Sequence, residues 1–399
     1  MKKKVIVGLS GGVDSSVAAY ILKEQGYEVE GLFMINWHDH RGLLKGDCPF
    51  DEDITFAEMV ARRLKIKLRT VDLSVEYRSR VVDYMFDEYA RGRTPNPDVL
   101  CNREIKFDSF VREALKYGAD YIATGHYCRK EEIDVNGARL SRLLAGIDHN
   151  KDQSYFLCQV SQKQLENVLF PVGSLTKQEV RKIALELGLA TAERKDSQGI
   201  CFVGKVDLPV FLQQKLEART GRVINISNDY PFREWDNGLP DVTISDRLLS
   251  EMSEPRRFSP ADGLTIGKHS GAHFYTVGQR KGLNIGGFKE PLFVIGTDVV
   301  NNIVYVGEGQ AHRGLHRKGL FIKNNDIHWI RPDMEMSAGE SRDYHLRIRY
   351  RQPLQDARIF ARDDGYFIIF DKAQRGITPG QFAAWYDGEE LLGSGVING

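Results

Sequence analysis

Residues 5–22, VIVGLSGGVDSSVAAYIL, constrain the fold of this chain more than any other stretch. Val5–Val7 form a short apolar, β-branched run, and Val17–Leu22 continue with helical periodicity. A polar turn with glycines at 11 and 12 joins the two. A helix N-terminus presents unpaired N–H groups, and glycine lets the backbone close around an anion, so this junction predicts a phosphate-binding loop.

Two common phosphate-binding motifs are absent from this loop. No Gly-Lys-Ser/Thr follows the glycines, which excludes a Walker A loop, and the GxGxxG spacing is missing. The stretch Ser10–Ser15, SGGVDS, instead resembles the PP-loop of ATP pyrophosphatases. The alternative is a Gly/Ser turn that caps the helix through Asp14 or Ser15.

Composition limits the class of protein. The 399 residues suggest two or three domains, and the balance of 55 basic and 55 acidic residues means that a nucleic-acid partner requires a local patch. The sequence contains no run of about 18 apolar residues, so we predict no membrane-spanning helix. Five cysteines without a CxxC motif argue against a disulfide framework, a zinc ribbon or an iron–sulfur cluster. We expect a soluble, cytoplasmic protein.

The N-terminal half alternates short apolar runs with amphipathic helices. The predicted strands are VIVGL, VEGLFM, LRTVDL and YIATG, and the predicted helices cover 15–25, 52–64, 76–90 and 103–117. This alternation predicts an α/β domain with a parallel sheet. Ligands of such sheets bind at the carboxyl ends of the strands, where Ser10, Met34 and Gly125 lie. A later helix begins with a capping box at Thr176 and Glu179 and ends at Gly188.

The remainder of the chain has a different texture. Residues 220–290 are irregular and rich in glycine, proline and charged residues. We expect a small central linker domain over 205–288, with an insertion at about 222–262. From 289 onwards, short strands separated by Asn, Gly and Asp predict an antiparallel β-barrel. The predicted domains are therefore 1–204, 205–288 and 289–399.

Basic residues alternate at one place in the predicted barrel. Arg347, Arg349 and Arg351 occupy every second position of one predicted strand, so their side chains would leave the same face. Such a row suits contacts with nucleic-acid phosphates, and it equally suits a solvated sheet face.

Cys101 lies in the stretch TPNPDVLCNREIKF. The prolines at 95 and 97 argue against a helix there, and Asn102 would cap the helix that follows. In that position the helix dipole and Arg103 would lower the pKa of the thiol and favour thiolate.

Cys201 lies in RKDSQGICFVG, within a long connection of the kind that is often functional. For each of these two cysteines the alternative is a small buried hydrophobe. Cys48, Cys128 and Cys158 are interpreted as buried hydrophobes.

Seven blocks occur in a fixed order along the chain: SGGVDSS, TPNPDVLCNREIKF, YIATGHY, KDQSYFL, DSQGICFVG, YTVGQRKGL and TPGQFA. In sequence and order they resemble the tRNA-specific 2-thiouridylase family from one end of the chain to the other. The resemblance implies a PP-loop domain of the adenine nucleotide alpha hydrolase-like type, a central domain and a C-terminal barrel. It also implies an ATP-dependent sulfurtransferase. That family adenylates the 2-carbonyl of the wobble uridine in tRNAs for Lys, Glu and Gln, and then replaces the oxygen with sulfur.

The resemblance assigns roles to the two cysteines. Cys201 would carry sulfur as a persulfide received from a sulfur-relay protein, and Cys101 would be the partner nucleophile. A Cys101–Cys201 disulfide would then be reduced after each turnover. Asp98 is an acid/base candidate, and its alternative is a turn-forming aspartate after Pro97.

The resemblance also implies the binding residues. For ATP they are Gly8, Leu9, Ser10, Gly11, Gly12, Val13, Asp14, Ser15, Met34 and Gly125. For the target base they are Asn96, Pro97 and Asp98, and for the rest of the tRNA they are His126, Lys151, Asp152, Gln153, Arg349, Tyr350 and Gln381. The alternatives are a core methionine at 34 and a surface histidine at 126. Arg280 and Lys281 form a weaker basic patch. Mg²⁺ is expected from the chemistry of the phosphates, without a visible ligand cluster.

Some questions stay open at this stage. The segment between Gly221 and Asp262 is longer than the short hairpin expected of the family. Two other functions also remain. A PP-loop synthetase acting on a small molecule would leave both cysteine blocks without a role. A non-catalytic, nucleotide-dependent RNA-binding redox protein would use the cysteines only to cross-link. We expect a monomer.

Overall fold

The computed structural model describes residues 2–38, 49–195 and 208–398, with the backbone alone for 49–51. The strands of the N-terminal part are β1 (Lys4–Gly8), β2 (Glu28–Ile35), β3 (Lys67–Asp72), β4 (Tyr121–Ala123), β5 (Cys128–Val135), β6 (Ala138–Ala145) and β7 (Val168–Leu169). Five of them form a sheet in the order β3-β2-β1-β4-β7, in which every neighbouring pair is parallel. The predicted α/β domain is confirmed.

Helices cover both faces of this sheet, and two apolar clusters fill the space between. The helical segments are Val13–Glu24, Pro49–Leu64, Ser74–Tyr77, Arg78–Val82, Asp83–Ala90, Pro97–Leu100, Cys101–Ser109, Phe110–Lys116, Ser154–Leu157, Gln162–Leu165 and Lys177–Glu186. We name the first the PP-loop helix, the continuous run from Pro97 to Lys116 the Cys101 helix, and the last the Lys177 helix. The predicted capping box at Thr176 and Glu179 is present.

The Cys101 helix begins earlier than predicted. Asn96 caps it by accepting the N–H of Val99 (3.2 Å), and Pro97 occupies the first helical position. Proline is tolerated there because its missing N–H would have no helical partner in any case. Asn102 is not the cap, because its amide donates to the carbonyl oxygens of Asp98 (3.0 Å) and Phe156 (3.2 Å). Residues Cys101–Ser109 form a π-helix, a form frequent at functional sites.

The central part contains the helix Leu208–Leu212 and the strands β8 (Gly221–Ile226), β9 (Gly263–His269), β10 (Leu292–Asp298) and β11 (Ile303–Glu308). Its sheet has the order β10-β11-β8-β9. The predicted insertion connects the antiparallel pair β8 and β9. Its helix Asp246–Ser253 packs on the C-terminal sheet, because Leu249 lies in one cluster with Phe360 and Ile369.

The C-terminal part is an antiparallel sheet. Its strands are β12 (His316–Lys323), β13 (Ile327–Trp329), β14 (Ser341–Arg347), β15 (Gln355–Arg362), β16 (Gly365–Arg375), β17 (Phe382–Asp387) and β18 (Glu390–Val396). Single 3₁₀ turns are at Pro260–Asp262, Ala272–Phe274, Arg313–Leu315, Asn324–Asp326 and Pro332–Met334. Residues from four successive strands, Leu346, Ile359, Ile368 and Trp385, are fully buried in one cluster, as expected inside a barrel.

Two strand pairings differ from the prediction. β10 and β11 are expected in the barrel, but they belong to the central sheet, where β11 pairs with β8 and β10 pairs with β11. β5 and β6 were not predicted, and this charged hairpin extends the C-terminal sheet beside β18. Short strands give no sequence signal for their partners, because pairing is decided by packing of distant segments. The domain boundaries at 204/205 and 288/289 stay predictions.

The predicted strand of three arginines is wrong. β14 ends at Arg347, and the chain turns over residues 348–351, where Arg351 has a φ of +63°. The three side chains therefore do not share a strand face. Across the described ranges, no helix combines the length and apolar character needed to cross a bilayer.

Candidate active site

The PP-loop, Leu9–Gly12, follows β1 at the centre of the parallel sheet. Its neighbours β2 and β4 lie on opposite sides, so this is the point where ligands bind in open α/β sheets. Gly125 follows β4 and lies against the PP-loop helix. A Cβ at Gly125 would lie 2.7 Å from the backbone nitrogen of Ser15 and 2.8 Å from the carbonyl carbon of Asp14. The structure brings these predicted residues together.

Hydroxyl groups shape the PP-loop from inside. Ser15 Oγ accepts the N–H of Ser10 (3.2 Å), and Ser16 Oγ donates to the carbonyl oxygen of Gly12 (2.8 Å). Gly12 is the N-cap, and no side chain caps this helix, so the alternative of a cap by Asp14 or Ser15 is wrong. An uncapped helix N-terminus behind a glycine turn suits a phosphate group.

Asp14 is held by two residues that sequence reasoning missed. Lys177 Nζ lies 2.7 and 2.8 Å from the two carboxylate oxygens of Asp14, and the Tyr127 hydroxyl donates to the first (2.7 Å). Lys177 is buried and stands in the first turn of its own helix, where the helix dipole disfavours a cation. A lysine in the first turn of a helix is visible in the sequence, and it could have indicated that Lys177 has an acidic partner.

Arg194 braces the PP-loop from the opposite side. Its guanidinium donates to the carbonyl oxygen of Gly11 (2.8 Å) and pairs with Asp53 (2.6 Å). Burial raises the pKa of Asp53, although the charge of Arg194 opposes this shift. Arg194 is the first residue of the stretch RKDSQGICFVG that contains Cys201, and the sequence does not predict its contact with the PP-loop.

The end of β2 offers polar groups beside Met34. Met34 is buried in the same cluster as Cys101. Asn36 is 2% exposed, and neither amide atom has a hydrogen-bond partner within the described ranges. A buried amide without a partner is destabilising, so such a group fits the polar edge of a nucleotide base. No group of three or more His, Cys, Asp or Glu in the described part of the chain could hold a metal.

Cys101 lies at the same edge of the sheet. Its helix precedes β4 and therefore runs antiparallel to the strands, which puts the helix N-terminus near their carboxyl ends. Phe110 of this helix packs against β1, because a Cβ on Gly8 would lie 3.5 Å from its ring. Nine residues of helix separate Phe110 from Cys101, a distance of at most about 14 Å.

The Cys101 side chain is fully buried. A substrate atom would reach its sulfur only after the covering side chains move. The position of the Arg103 guanidinium is fixed by other groups, since it donates to Glu104 (2.6 Å) and Gln159 (2.9 Å). Thiolate character at Cys101 stays a prediction.

Cys201 lies outside the described residues, as does Cys48. The chain on its N-terminal side is fixed at the PP-loop by Arg194, and on its C-terminal side Phe211 stacks on Phe86 (5.6 Å) in the cluster that contains Cys101. Cys201 is seven residues from Arg194, so the chain limits their separation to about 25 Å.

The interpretation of Cys128 and Cys158 as buried hydrophobes is confirmed. Both are fully buried. Burial raises the pKa of the Cys158 thiol to about 12 and that of Cys128 well above its usual value. These two thiols are therefore protonated and unreactive at neutral pH.

His126 is buried, so the alternative of a surface histidine is wrong. Its ring packs between Phe107 and Phe170, and Nδ1 lies 2.7 Å from the hydroxyl of Thr124. Burial, with the charge of Lys106, holds the pKa of His126 well below its usual value. The imidazole is neutral, and its contact with tRNA stays a prediction.

Acidification is expected to destabilise the fold through buried histidines. Burial also lowers the pKa values of His269, His273, His312 and His328. Each residue takes up a proton in the unfolded state below about pH 6.5 but not in the folded state. The stabilisation present above that pH is therefore lost as the pH falls, by up to about 1.4 kcal/mol per histidine and pH unit.

The measurement is the thermal midpoint at pH 7.5, 6.5 and 5.5. His126→Gln is expected to reduce the slope, whereas His149→Gln, at an exposed histidine, leaves it unchanged. An unchanged slope in His126→Gln would contradict the assignment of a neutral buried imidazole.

Two of the predicted tRNA contacts are engaged inside the protein. Asp152 is buried, accepts the N–H groups of Gly146 and Ser154, and pairs with Arg347 (3.0 Å). Gln153 accepts the N–H of Tyr127 (3.0 Å). Lys151 is half-buried. Asp152 and Arg347 thus link the first domain to the C-terminal barrel.

Of the predicted arginines, only Arg351 is exposed. Arg349 donates to the carbonyl oxygen of Gly376, and burial lowers its pKa. Tyr350 is half-buried and packs on Phe156 (4.2 Å between ring centroids). The weaker patch, Arg280 and Lys281, is exposed.

The residues predicted to face the target base are accessible. Asn96, Pro97 and Asp98 are half-exposed at the N-terminus of the Cys101 helix. Gln381 is half-buried and contacts this segment, because its Nε2 donates to the carbonyl oxygens of Thr94 (3.0 Å) and Pro95 (3.1 Å).

Comparison with protein families matches all three parts of the chain. Residues 3–205 match a tRNA methyl transferase HUP domain, 245–308 a tRNA methyl transferase PRC-barrel domain, and 319–397 an aminomethyltransferase beta-barrel domain. A 4-thiouridine synthetase–RNA complex with bound ATP aligns with 53% of this chain and 50% of its own, at 16% identity and a TM-score of 0.31. That similarity is too low to carry an argument.

Relatives are similar over the whole length. The tRNA-specific 2-thiouridylase MnmA of Christiangramia forsetii is 56% identical over 400 residues, which cover 99% of this chain and 100% of the relative. The enzyme of the same name from Flavobacterium johnsoniae is 55% identical over 396 residues, with the same coverage. That of Karelsulcia muelleri is 43% identical, covering 100% of this chain and 99% of the relative. The chain therefore belongs to the tRNA-specific 2-thiouridylase family.

Proposed function

We propose that this protein is an ATP-dependent tRNA 2-thiouridylase that acts on the wobble uridine of tRNAs for Lys, Glu and Gln in the cytoplasm. One observation carries the proposal. The PP-loop, with the uncapped helix N-terminus behind it, and the N-terminus of the Cys101 helix lie at the same edge of the parallel sheet. A small-molecule synthetase needs only the PP-loop. A nucleotide-dependent RNA-binding redox protein does not need the PP-loop and the Cys101 helix to lie together.

The nucleotide site is proposed at the PP-loop. The residues from Gly8 to Ser15 would surround the phosphates, with Gly125 close enough to leave no room for a side chain. Met34 and the partnerless amide of Asn36 would meet the adenine. ATP supplies the leaving group, since transfer of AMP to the uridine oxygen releases pyrophosphate. Mg²⁺ would neutralise the phosphates, as chemistry of this kind requires.

The sulfur chemistry is proposed for Cys201 and Cys101. A persulfide on Cys201, loaded by a sulfur-donor protein, provides the sulfur that replaces the adenylated oxygen as AMP leaves. The outer sulfur of the persulfide bonds to the uridine carbon, and the Cys101 thiolate then attacks the Cys201 sulfur and breaks the S–S bond. The outer sulfur stays on the uridine as the thiocarbonyl, and the Cys101–Cys201 disulfide that forms is reduced by an external thiol. Asp98, in the turn of helix before Cys101, is the acid/base candidate. In the chain, Cys201 is seven residues from Arg194, which donates to the carbonyl oxygen of Gly11 in the PP-loop.

The tRNA surface is proposed around the same helix N-terminus. The exposed cations Arg280, Lys281 and Arg351 are better suited to phosphate contact than the buried His126 and Asp152 or the half-buried Arg349. The first two stand near Arg349, because Gly278 lies against its guanidinium. A protein monomer would bind one tRNA.

The test is incubation with unmodified tRNA, ATP and a labelled sulfur source. We expect labelled 2-thiouridine in tRNAs for Lys, Glu and Gln, and one pyrophosphate released for each sulfur incorporated. Pyrophosphate release driven by a small molecule without tRNA would favour a synthetase. If the protein binds tRNA but incorporates no sulfur under these conditions, the proposal that it is a thiolating enzyme is contradicted.

A further inference from the structure

We infer that Gln381 of the C-terminal barrel is a positioning residue for the Thr94–Asp98 loop, and thereby for the N-terminus of the Cys101 helix. The inference rests on the proposed function and adds a role to it. It replaces direct tRNA contact by Gln381 with a contact inside the protein.

The first step is the set of bonds that Gln381 makes. Its Nε2 donates to two successive carbonyl oxygens, those of Thr94 (3.0 Å) and Pro95 (3.1 Å). Its Oε1 accepts from Asn96 Nδ2 (3.4 Å). Donors and acceptor of one amide are thus engaged by three consecutive residues of the loop, which leaves little of that amide for a nucleic acid.

The second step is the connection to the helix. Asn96 is the N-cap of the Cys101 helix through its Oδ1, which accepts the N–H of Val99 (3.2 Å). Its other amide atom is the one that binds Gln381. Gln381 therefore fixes the orientation of the capping group, and the helix start follows that orientation. Pro97 and Asp98 are the next two residues.

The third step is that other domains hold the same loop. The N–H of Thr94 donates to the carbonyl oxygen of Pro379 (2.8 Å), and its hydroxyl lies 3.0 Å from that of Thr276 in the central domain. Gly380 has a φ of +89°, and a Cβ there would lie 2.9 Å from the carbonyl oxygen of Thr94. The sequence block TPGQ, which contains Pro379 and Gln381, is therefore in direct contact with the block TPNPD, which begins at Thr94.

The Thr94–Asp98 loop is not densely packed at Thr94. Thr94 lines a cavity of about 130 Å³ together with Tyr275, Thr297, Ile377 and Pro379. Because close packing does not fix Thr94 on this side, its hydrogen bonds decide where it lies. Loss of the Gln381 amide would let the Thr94–Asp98 loop shift, and small displacements of positioned groups slow a reaction strongly.

The experiment compares Gln381→Ala with Gln355→Ala in the full-length protein. Gln355 is a matched control, because its Nε2 also donates to two successive carbonyl oxygens, those of Pro353 (2.9 Å) and Leu354 (3.2 Å), but these are the two residues directly before it in the chain. For Gln381→Ala we expect kcat for thiolation to fall about 10- to 100-fold, while the Kd for tRNA changes less than about threefold. Nucleotide binding and the activity of Gln355→Ala stay unchanged.

A second variant guards against a general folding defect. Thr276→Val removes a hydroxyl from the other side of the same loop, and we expect a smaller loss of kcat with the same tRNA affinity. A raised Kd with full kcat at saturating tRNA in Gln381→Ala would instead show a tRNA contact and overturn the inference. So would parent-like kinetics in both variants. Failure of the parent protein to form 2-thiouridine would refute the proposed function separately.

Discussion

Replacing either Cys101 or Cys201 with alanine is expected to abolish 2-thiouridine formation, with a loss of at least about 1,000-fold, as is usual when a reacting nucleophile is removed. Each thiol has its own part in the exchange, so one cannot substitute for the other. The measurement is thiolated nucleoside per tRNA after digestion. Binding of ATP and of tRNA should persist in both variants, because the PP-loop does not depend on either thiol.

The matched control is Cys158→Ala. Cys158 is fully buried, and its raised pKa keeps the thiol protonated. We expect full thiolation and, at most, a lower thermal midpoint from the small cavity. Thiolation that persists in Cys201→Ala would contradict the assignment of Cys201 as the persulfide carrier. Thiolation that persists in Cys101→Ala would contradict the assignment of Cys101 as the nucleophile.

The Cys101 and Cys201 variants should also differ from each other. With the labelled sulfur donor and no tRNA, only a protein that retains Cys201 should acquire a reductant-labile sulfur label. Cys101→Ala is therefore expected to load sulfur without transferring it. Equal loading of both variants would assign the persulfide to another residue.

Gly125→Ala is expected to weaken ATP binding by about 100-fold or more. The added Cβ would meet backbone atoms of Ser15 and Asp14 at 2.7 and 2.8 Å, so the PP-loop helix must move away from β4. Loss of two hydrogen bonds to charged phosphates is worth about 3 kcal/mol, which is about 100-fold in affinity. The measurement is titration calorimetry with a non-hydrolysable ATP analogue.

Gly286→Ala is the control for Gly125→Ala. A Cβ at Gly286 would meet no atom within 4 Å. It should bind nucleotide like the parent protein. Parent-like ATP affinity in Gly125→Ala, with an unchanged thermal midpoint, would place the nucleotide elsewhere and would remove the main support for adenylation.

The PP-loop illustrates how far local sequence reaches. Strand, glycine turn and helix are consecutive, so their order and the phosphate-binding role predicted for Ser10–Ser15 follow from propensity and backbone freedom alone. Lys177 and Arg194 brace the same loop from more than 160 residues away in sequence. Nothing local marks such partners, because the fold brings them together.

The predicted tRNA contacts show the converse. A family motif identifies a residue, but its exposure depends on what packs over it. His126, Asp152 and Arg349 became internal groups, and the exposed cations Arg280 and Lys281 came from a weaker pattern. The arginine alternation also failed, because a turn after Arg347 interrupts the period of the strand.

The sequence by itself determined the parallel sheet, the loop after β1 and the family to which the chain belongs, since each depends on neighbouring residues or on motif order. Only the tertiary structure decided that Asn96 caps the Cys101 helix, that the β5–β6 hairpin extends the barrel, and that Gln381 holds Thr94 and Pro95. These features are contacts between segments far apart in the chain. Their free energy comes from burial and hydrogen bonding that exist only after the domains have packed together.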